Sequence, residues 1–482
     1  MKADALNPLD PSTSETSGAR VVSVFPSTSR SAGGLSQAVQ DRYRCPADLL
    51  EWELGGSLSR DEGYFRFGEE TTCFGRSCAG TRKPEPGLSL DDLLQEVVVQ
   101  DARVTLPFNP TEVIDNVRLE RYKAGAKIGQ GTLLRKVYYC LRPFMNLALR
   151  TRVQRFRARN WEKLAFPKWP VDTTVEALCE RLLLLSLQAK KVETIPFVWF
   201  WPKGAPGCVT MTHDVETEAG RVFCAQLMDL NDSFGIKSSF QVVPEERYEV
   251  SPDFLESIRR RGFEVAVHDL NHDGRLYHDR EEFLRRAKKI NQYGVEWQTR
   301  GFRAGVLYRN PEWFDSLDFS YDMSIPNVAH LDPQSGGCCT VLPYFIGDML
   351  EIPVTTIQDY MLFHLLGQYC IDLWRNQVDL ILQKNGLANF IVHPDYVMDA
   401  KPRSVYRDLL GYLRELRQQK NVWIALPAEI NSWWRARSKM SVVRDGDSFR
   451  IEGEGSERAV LAFARNVGGR LVCELSQATS VS

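Results

Sequence analysis

Two histidines four residues apart, His268 and His272, stand directly after an apolar alternation of Phe263, Val265 and Val267. Imidazoles at that spacing share one face of a helical turn, so a single cation can meet both. Upstream, Thr210 to Glu216 forms a second polar cluster at the end of an apolar run, with acids at Asp214 and Glu216. Downstream come Arg303, between Phe302 and Ala304, and His393, after Phe390-Ile391-Val392. The chain holds only seven histidines, at 213, 268, 272, 278, 330, 364 and 393. The side chain best suited to metal binding and proton transfer near neutral pH is therefore confined to one segment.

Two imidazoles and one carboxylate are a ligand set of catalytic zinc sites, leaving positions for water and substrate. A lone pair of histidines at this spacing arises by chance. Its weight comes from polar residues at the ends of other predicted strands. If the strand through Thr210 continues, Thr212, Asp214 and Glu216 share one face, because side chains alternate along a strand. One acid would then hold the metal and the other act as general base. Spacing leaves open which does which; the assignment adopted is Asp214, His268 and His272 for the metal and Glu216 for the base. His213 would face the opposite way. A buried Arg303 needs a carboxylate partner, and orienting an active-site acid is a suitable task. His393 suits the general acid, with Asp395 or Asp322 to orient it. His364, inside an apolar helical pattern, reads as core.

The elements that must position these residues alternate. Strand-like runs at Cys208–Thr212, Lys237–Val243, Phe263–His268, Thr299–Ala304, Met349–Thr355, Asn389–His393 and Val422–Leu426 are separated by helical stretches. One of these is a long helix over residues 358–384. Short strands alternating with helices predict a parallel α/β domain, and about seven repeats predict a (β/α) barrel over 201–438. Barrel enzymes place their chemistry at the C-terminal ends of the strands, where every polar cluster here falls.

The remainder is less regular. Residues 1–40, rich in Ser, Thr, Pro and Gly, are expected to lack structure because they bury too little surface to offset chain entropy. Residues 41–200 predict a mixed, mostly helical region. Its basic stretch 133–163 suits a solvated helix face, or a weak contact with a membrane surface. The aromatic run Ile195–Trp201 reads as packing, with a sugar platform as the alternative. Residues 439–482 predict a small β appendage that begins with a hairpin around Asp445-Gly446. A net charge of −2 over 482 residues offers no general argument for nucleic acid. With no signal peptide or transmembrane run read in the sequence, the expectation is a cytoplasmic protein with reduced cysteines.

Taken in order, the polar clusters resemble the motifs of the polysaccharide deacetylase family (NodB-homology, carbohydrate esterase family 4). The resemblance covers about residues 208–430, under half of the chain. Thr212-His213-Asp214-Val215-Glu216 looks like the first motif, with the family's adjacent Asp-Asp replaced as in divergent branches. His268 to His272 matches the metal-binding second motif. Arg303-Ala304-Gly305 is similar to the third but lacks its proline, and Asp322 is matched to the weak fourth. Ile391-Val392-His393 is similar to the fifth, which supplies the catalytic acid. The resemblance implies a distorted (β/α) barrel, a divalent metal such as Zn2+, and a carbohydrate substrate. The implied reaction is hydrolysis of an acetyl group, most often N-acetyl on a hexosamine. Two other readings are a catalytically inactive relative that binds glycans or partners, and a barrel amidohydrolase acting on a small non-sugar C–N bond.

Overall fold

The first strand of the large sheet, β1 (Cys208–Val215), is buried at all eight positions. A parallel strand covered on both faces requires this. In the computed structural model, which describes residues 34–80, 83–123 and 161–476, it runs three residues beyond the expected Thr212. The extension is held by pairing of Thr212–Val215 with Ser239–Val242, the second strand β2. Asp214 therefore lies inside a strand.

After β2 come β3 (Glu264–His268), β4 (Gly301–Arg303), β5 (Tyr321–Asp322), β6 (Tyr344–Ile346), β7 (Met349–Glu351), β8 (Leu387–Ile391) and β9 (Trp423–Ile424). The sheet order is β6-β7-β5-β4-β3-β2-β1-β8, with β9 beside β1. Every pairing is parallel except β6 with β7. The sheet curls into a half-barrel with helices around it, which fits a distorted (β/α) barrel. All seven expected strands are present. The additional β5 and β6 have two and three residues, too few to show a period.

Helices begin where the side chains dictate. Thr217, Ser251 and Asp279 each accept a backbone N–H at the start of Glu218–Ser233, Pro252–Arg260 and Arg280–Glu296. Such caps satisfy N–H groups that the helix itself leaves free. The single helix expected over 358–384 is instead two pieces: a π-turn at Met361–Leu365 and a helix at Asp372–Leu382. Gly367 separates them with φ +68°, a left-handed conformation that ends a helix.

The expected disordered stretch 1–40 ends inside a short helix, Gln37–Tyr43, whose residues Ala38, Val39 and Tyr43 are buried. Residues 1–33 and most of the basic stretch, 133–160, lie outside the described residues. The aromatic run packs. Trp199 and Trp201 are buried, and their indole N–H groups donate to Ala205 and Asn385 carbonyls at 2.7 and 2.6 Å. In the tail, Ser441–Asp445 and Ser448–Glu452 form the expected hairpin. Leu461–Val467 then pairs antiparallel with Thr194–Val198, so the tail completes a sheet begun before the barrel. Residues ahead of the barrel also tie to the segments on either side of β5. Glu120 accepts from Arg309 Nε at 2.8 Å and from the Gly337 N–H at 2.6 Å. Asp172 and Asn327 exchange two hydrogen bonds at 2.8 and 2.7 Å.

Gly301 gives a direct test of this packing. A Cβ there would meet the Tyr321 ring at 2.5 Å, while the Tyr321 hydroxyl is held by Glu264. Overpacking of this kind costs roughly 1–3 kcal/mol. Gly301→Ala is expected to lower the urea midpoint accordingly; an unchanged midpoint would mean that Tyr321 moves aside freely.

Candidate active site and metal centre

Strands β1, β3, β4 and β8 end at one edge of the sheet. Asp214 lies near the end of β1, with Glu216 just beyond it. His268 and Arg303 are the last residues of β3 and β4 and stand in register, and His393 follows β8 by two residues. His268, His272, Arg303 and His393 are 1, 2, 0 and 4% exposed. All six residues singled out from the sequence are brought together.

The two acids differ sharply in their surroundings. Asp214 Oδ1 accepts from Arg303 Nη1 at 2.6 Å. Arg303 also donates to Thr212 Oγ1 at 2.8 Å and to the Met323 carbonyl at 3.0 Å, which fixes its guanidinium. Glu216 stands among imidazoles instead. Its Oε1 lies 2.9 Å from His272 Nε2, 3.4 Å from His393 Nε2 and 3.8 Å from His268 Nε2. Glu216, His268 and His272 offer ligand atoms that all lie within 4.8 Å of one another. Asp214 belongs to a second such group, with Glu216 and His393.

This set suits a divalent cation. His268 Nε2 and His272 Nε2 are buried and neither makes a hydrogen bond; the 2.9 Å approach of Glu216 to His272 has the distance of an ion pair without the angles of a bond. His268 Nδ1 lies 3.1 Å from the Arg303 carbonyl, which fixes a tautomer with a lone pair on Nε2. Ligating histidines are oriented in this way. Burial alone would raise the Asp214 carboxyl, yet Arg303 and His268 hold it below its ordinary value. Burial likewise opposes the charge on Glu216, but the surrounding histidines hold it well below the usual range.

The turn carrying the histidine pair needs support. Asp269 and His272 adopt φ of 58° and 54°, a conformation costly for residues other than glycine. Arg247 clamps it by donating to the carbonyls of Asn271 and His272. Arg286 grips Asp273 with two bonds at 2.8 and 2.9 Å. Gly305 is required here as well, because a Cβ would come 2.4 Å from Asp269 Oδ2.

His393 is oriented by Asp359, not by Asp395 or Asp322. Asp359 Oδ1 lies 2.7 Å from His393 Nδ1, and Oδ2 accepts the His393 backbone N–H at 2.7 Å. Asp322 instead accepts from Ser324 at 2.7 Å. The sequence reading missed Asp359 by placing it inside the long helix. The available signal was an acid shortly after a strand of the same edge. His213 faces away, as strand alternation requires. Its Nδ1 lies 2.8 Å from the Val392 carbonyl, and burial lowers its pKa to about 4.

Burial would depress the His393 pKa, but Asp359 and then Glu216 raise it well above the ordinary histidine value. A protonated His393 is lost as pH rises through that raised pKa. Asp359→Ala should therefore lower the pH at which His393 loses its proton, as read from the NMR titration of its ring. An unmoved titration would remove Asp359 as the partner that holds His393 charged.

No family model and no curated protein matches the chain. Solved structures do. A Mycobacterium smegmatis protein assigned to the polysaccharide deacetylases is 20% identical, with 52% of this chain and 98% of that chain covered and a TM-score of 0.42. One from Bordetella bronchiseptica, assigned as a polysaccharide deacetylase of O-antigen biosynthesis, is 20% identical over 48% of this chain and 84% of its own, with a TM-score of 0.31. Peptidoglycan deacetylase PdaC from Bacillus subtilis is 12% identical over 49% and 94%, with a TM-score of 0.30. Many of the similar structures are polysaccharide deacetylases. The likeness covers about half of this chain at low identity. Among the described residues, no helix is long and apolar enough to cross a membrane.

Proposed function

We propose that the protein is a metal-dependent hydrolase that removes an acetyl group from an N-acetylated carbohydrate. The supporting observation is the division of labour between the acids: Asp214 is held by Arg303, while Glu216 faces three imidazoles. Glu216, His268 and His272 would hold the cation, with Zn2+ suited to two imidazoles and a carboxylate. This exchanges the roles first given to Asp214 and Glu216. When bound, the ion supplies Lewis acidity to the scissile carbonyl and lowers the pKa of water.

The protein's own groups do the rest. Asp214, kept ionised by Arg303, takes a proton from the attacking water. His393, kept protonated by Asp359, gives its proton to the amine nitrogen as the C–N bond breaks. Acetate and a free amino sugar leave. The walls of the site are buried and bring little reorganisation to the developing charge.

The test is metal analysis together with acetate release from N-acetylated chito-oligosaccharides, on wild type and His268→Ala. Wild type should carry stoichiometric metal and release acetate, and the variant should do neither. Equal metal in the two proteins would sink the ligand assignment. Metal without acetate release from any N-acetylated sugar would sink the reaction.

A further inference from the structure

Beside His393 lies an aromatic group that the proposed chemistry does not use. The Tyr396 ring is 4.8 Å from the His393 ring. Tyr360 and His364 stand behind it, 5.7 and 5.2 Å from Tyr396 and 5.3 Å from each other. The π-turn Met361–Leu365 brings Tyr360 and His364 to the same side, and such turns recur at functional sites. All three rings are partly exposed, whereas Trp199 and Trp201 are buried. Burial and then the negative charge of Glu216 push the Tyr396 phenol well up.

The chemistry of the leaving group decides what belongs here. His393 must reach the amine nitrogen, so the ring bearing that nitrogen lies against the residues flanking His393. A pyranose presents an apolar C–H face and a rim of hydroxyl donors. An aromatic face beside the proton donor matches the apolar C–H face. We propose that Tyr396, backed by Tyr360 and His364, is the stacking face for the pyranose that carries the scissile amide. This rests on the reading of the substrate as an N-acetylated sugar.

Calorimetric titration of tri-N-acetylchitotriose into metal-loaded wild type, Tyr396→Ala and Tyr396→Phe tests it, alongside metal content, thermal midpoint, KM and kcat. Tyr396→Ala should weaken binding and raise KM by up to ~10-fold with metal content, midpoint and kcat little changed. Tyr396→Phe should bind like wild type, since the face remains. Unchanged affinity and KM in Tyr396→Ala would overturn the proposal, as would a loss in Tyr396→Phe equal to that in Tyr396→Ala. Wild type that fails to bind the trisaccharide would overturn the sugar assignment. Binding lost in Tyr396→Ala, from a wild type that releases no acetate, would support the stacking face and sink only the hydrolytic reading.

Discussion

Asp214→Asn is expected to keep its divalent metal and lose roughly 10²–10⁴-fold in kcat, the range for removing a positioned general base. Glu216→Ala is expected to lose the metal itself. Changing a group that merely orients a ligand costs about 10–100-fold in affinity, so loss of a direct ligand should cost at least the upper end, ~100-fold. The contrast follows from geometry. Arg303 occupies one oxygen of Asp214 at 2.6 Å, and the other is 3.7 Å from His268. Glu216 approaches three imidazole nitrogens with a single oxygen. Metal-to-protein ratio and turnover, measured on both variants, separate the roles. The reverse pattern, with metal-free Asp214→Asn and metal-loaded Glu216→Ala, would restore the assignment first drawn from the sequence.

Arg303→Met is expected to destabilise the fold by about 3–5 kcal/mol, the cost of stranding one member of a buried ion pair. Arg303 is 0% exposed and Asp214 is 3% exposed. Methionine fills much of the volume but leaves Thr212 Oγ1 without its donor and Asp214 without its charge partner. The pH dependence has a defined sign. In wild type the Asp214 carboxyl is held below its ordinary value, so its stabilising contribution is present above the unfolded pKa and lost as pH falls through the folded one. Without Arg303, burial is left to raise that carboxyl, and protonation relieves the variant at low pH. The gap in unfolding free energy between the two proteins should therefore narrow on acidification. The double variant Arg303→Met/Asp214→Asn should recover part of the loss. A gap under about 1 kcal/mol near neutral pH would show that the pair behaves like an exposed one.

The acids at 214 and 216 show how far local pattern reaches. Alternation along a strand put Thr212, Asp214 and Glu216 on one face and His213 on the other. The structure has His213 turned to Val392 and Asn231, outside that face. The same pattern could not rank Asp214 against Glu216, because both point the same way. Their difference comes from Arg303, which is 89 residues away from Asp214 in the chain. Asp359 was missed for a related reason. Apolar periodicity carried the helix back over residues 358–366, and only the π-turn and the left-handed Gly367 break it. From sequence the tail reads as a separate appendage, since nothing local says that Leu461–Val467 pairs with Thr194–Val198.

What the sequence by itself determined was the parallel α/β rhythm and the polar residues standing at strand ends. Both are local, since burial on two faces writes an apolar run into each strand and a change of element follows it. What only the tertiary structure decided was partnership: Arg303 with Asp214, Asp359 with His393, and Glu216 with His268 and His272. Those pairings depend on strand order and on the two left-handed residues, Asp269 and His272, that turn the second histidine inward. Residues 34 to 178 positions apart become neighbours only when the sheet curls, and charge interactions of this strength act only across a few ångströms of buried space.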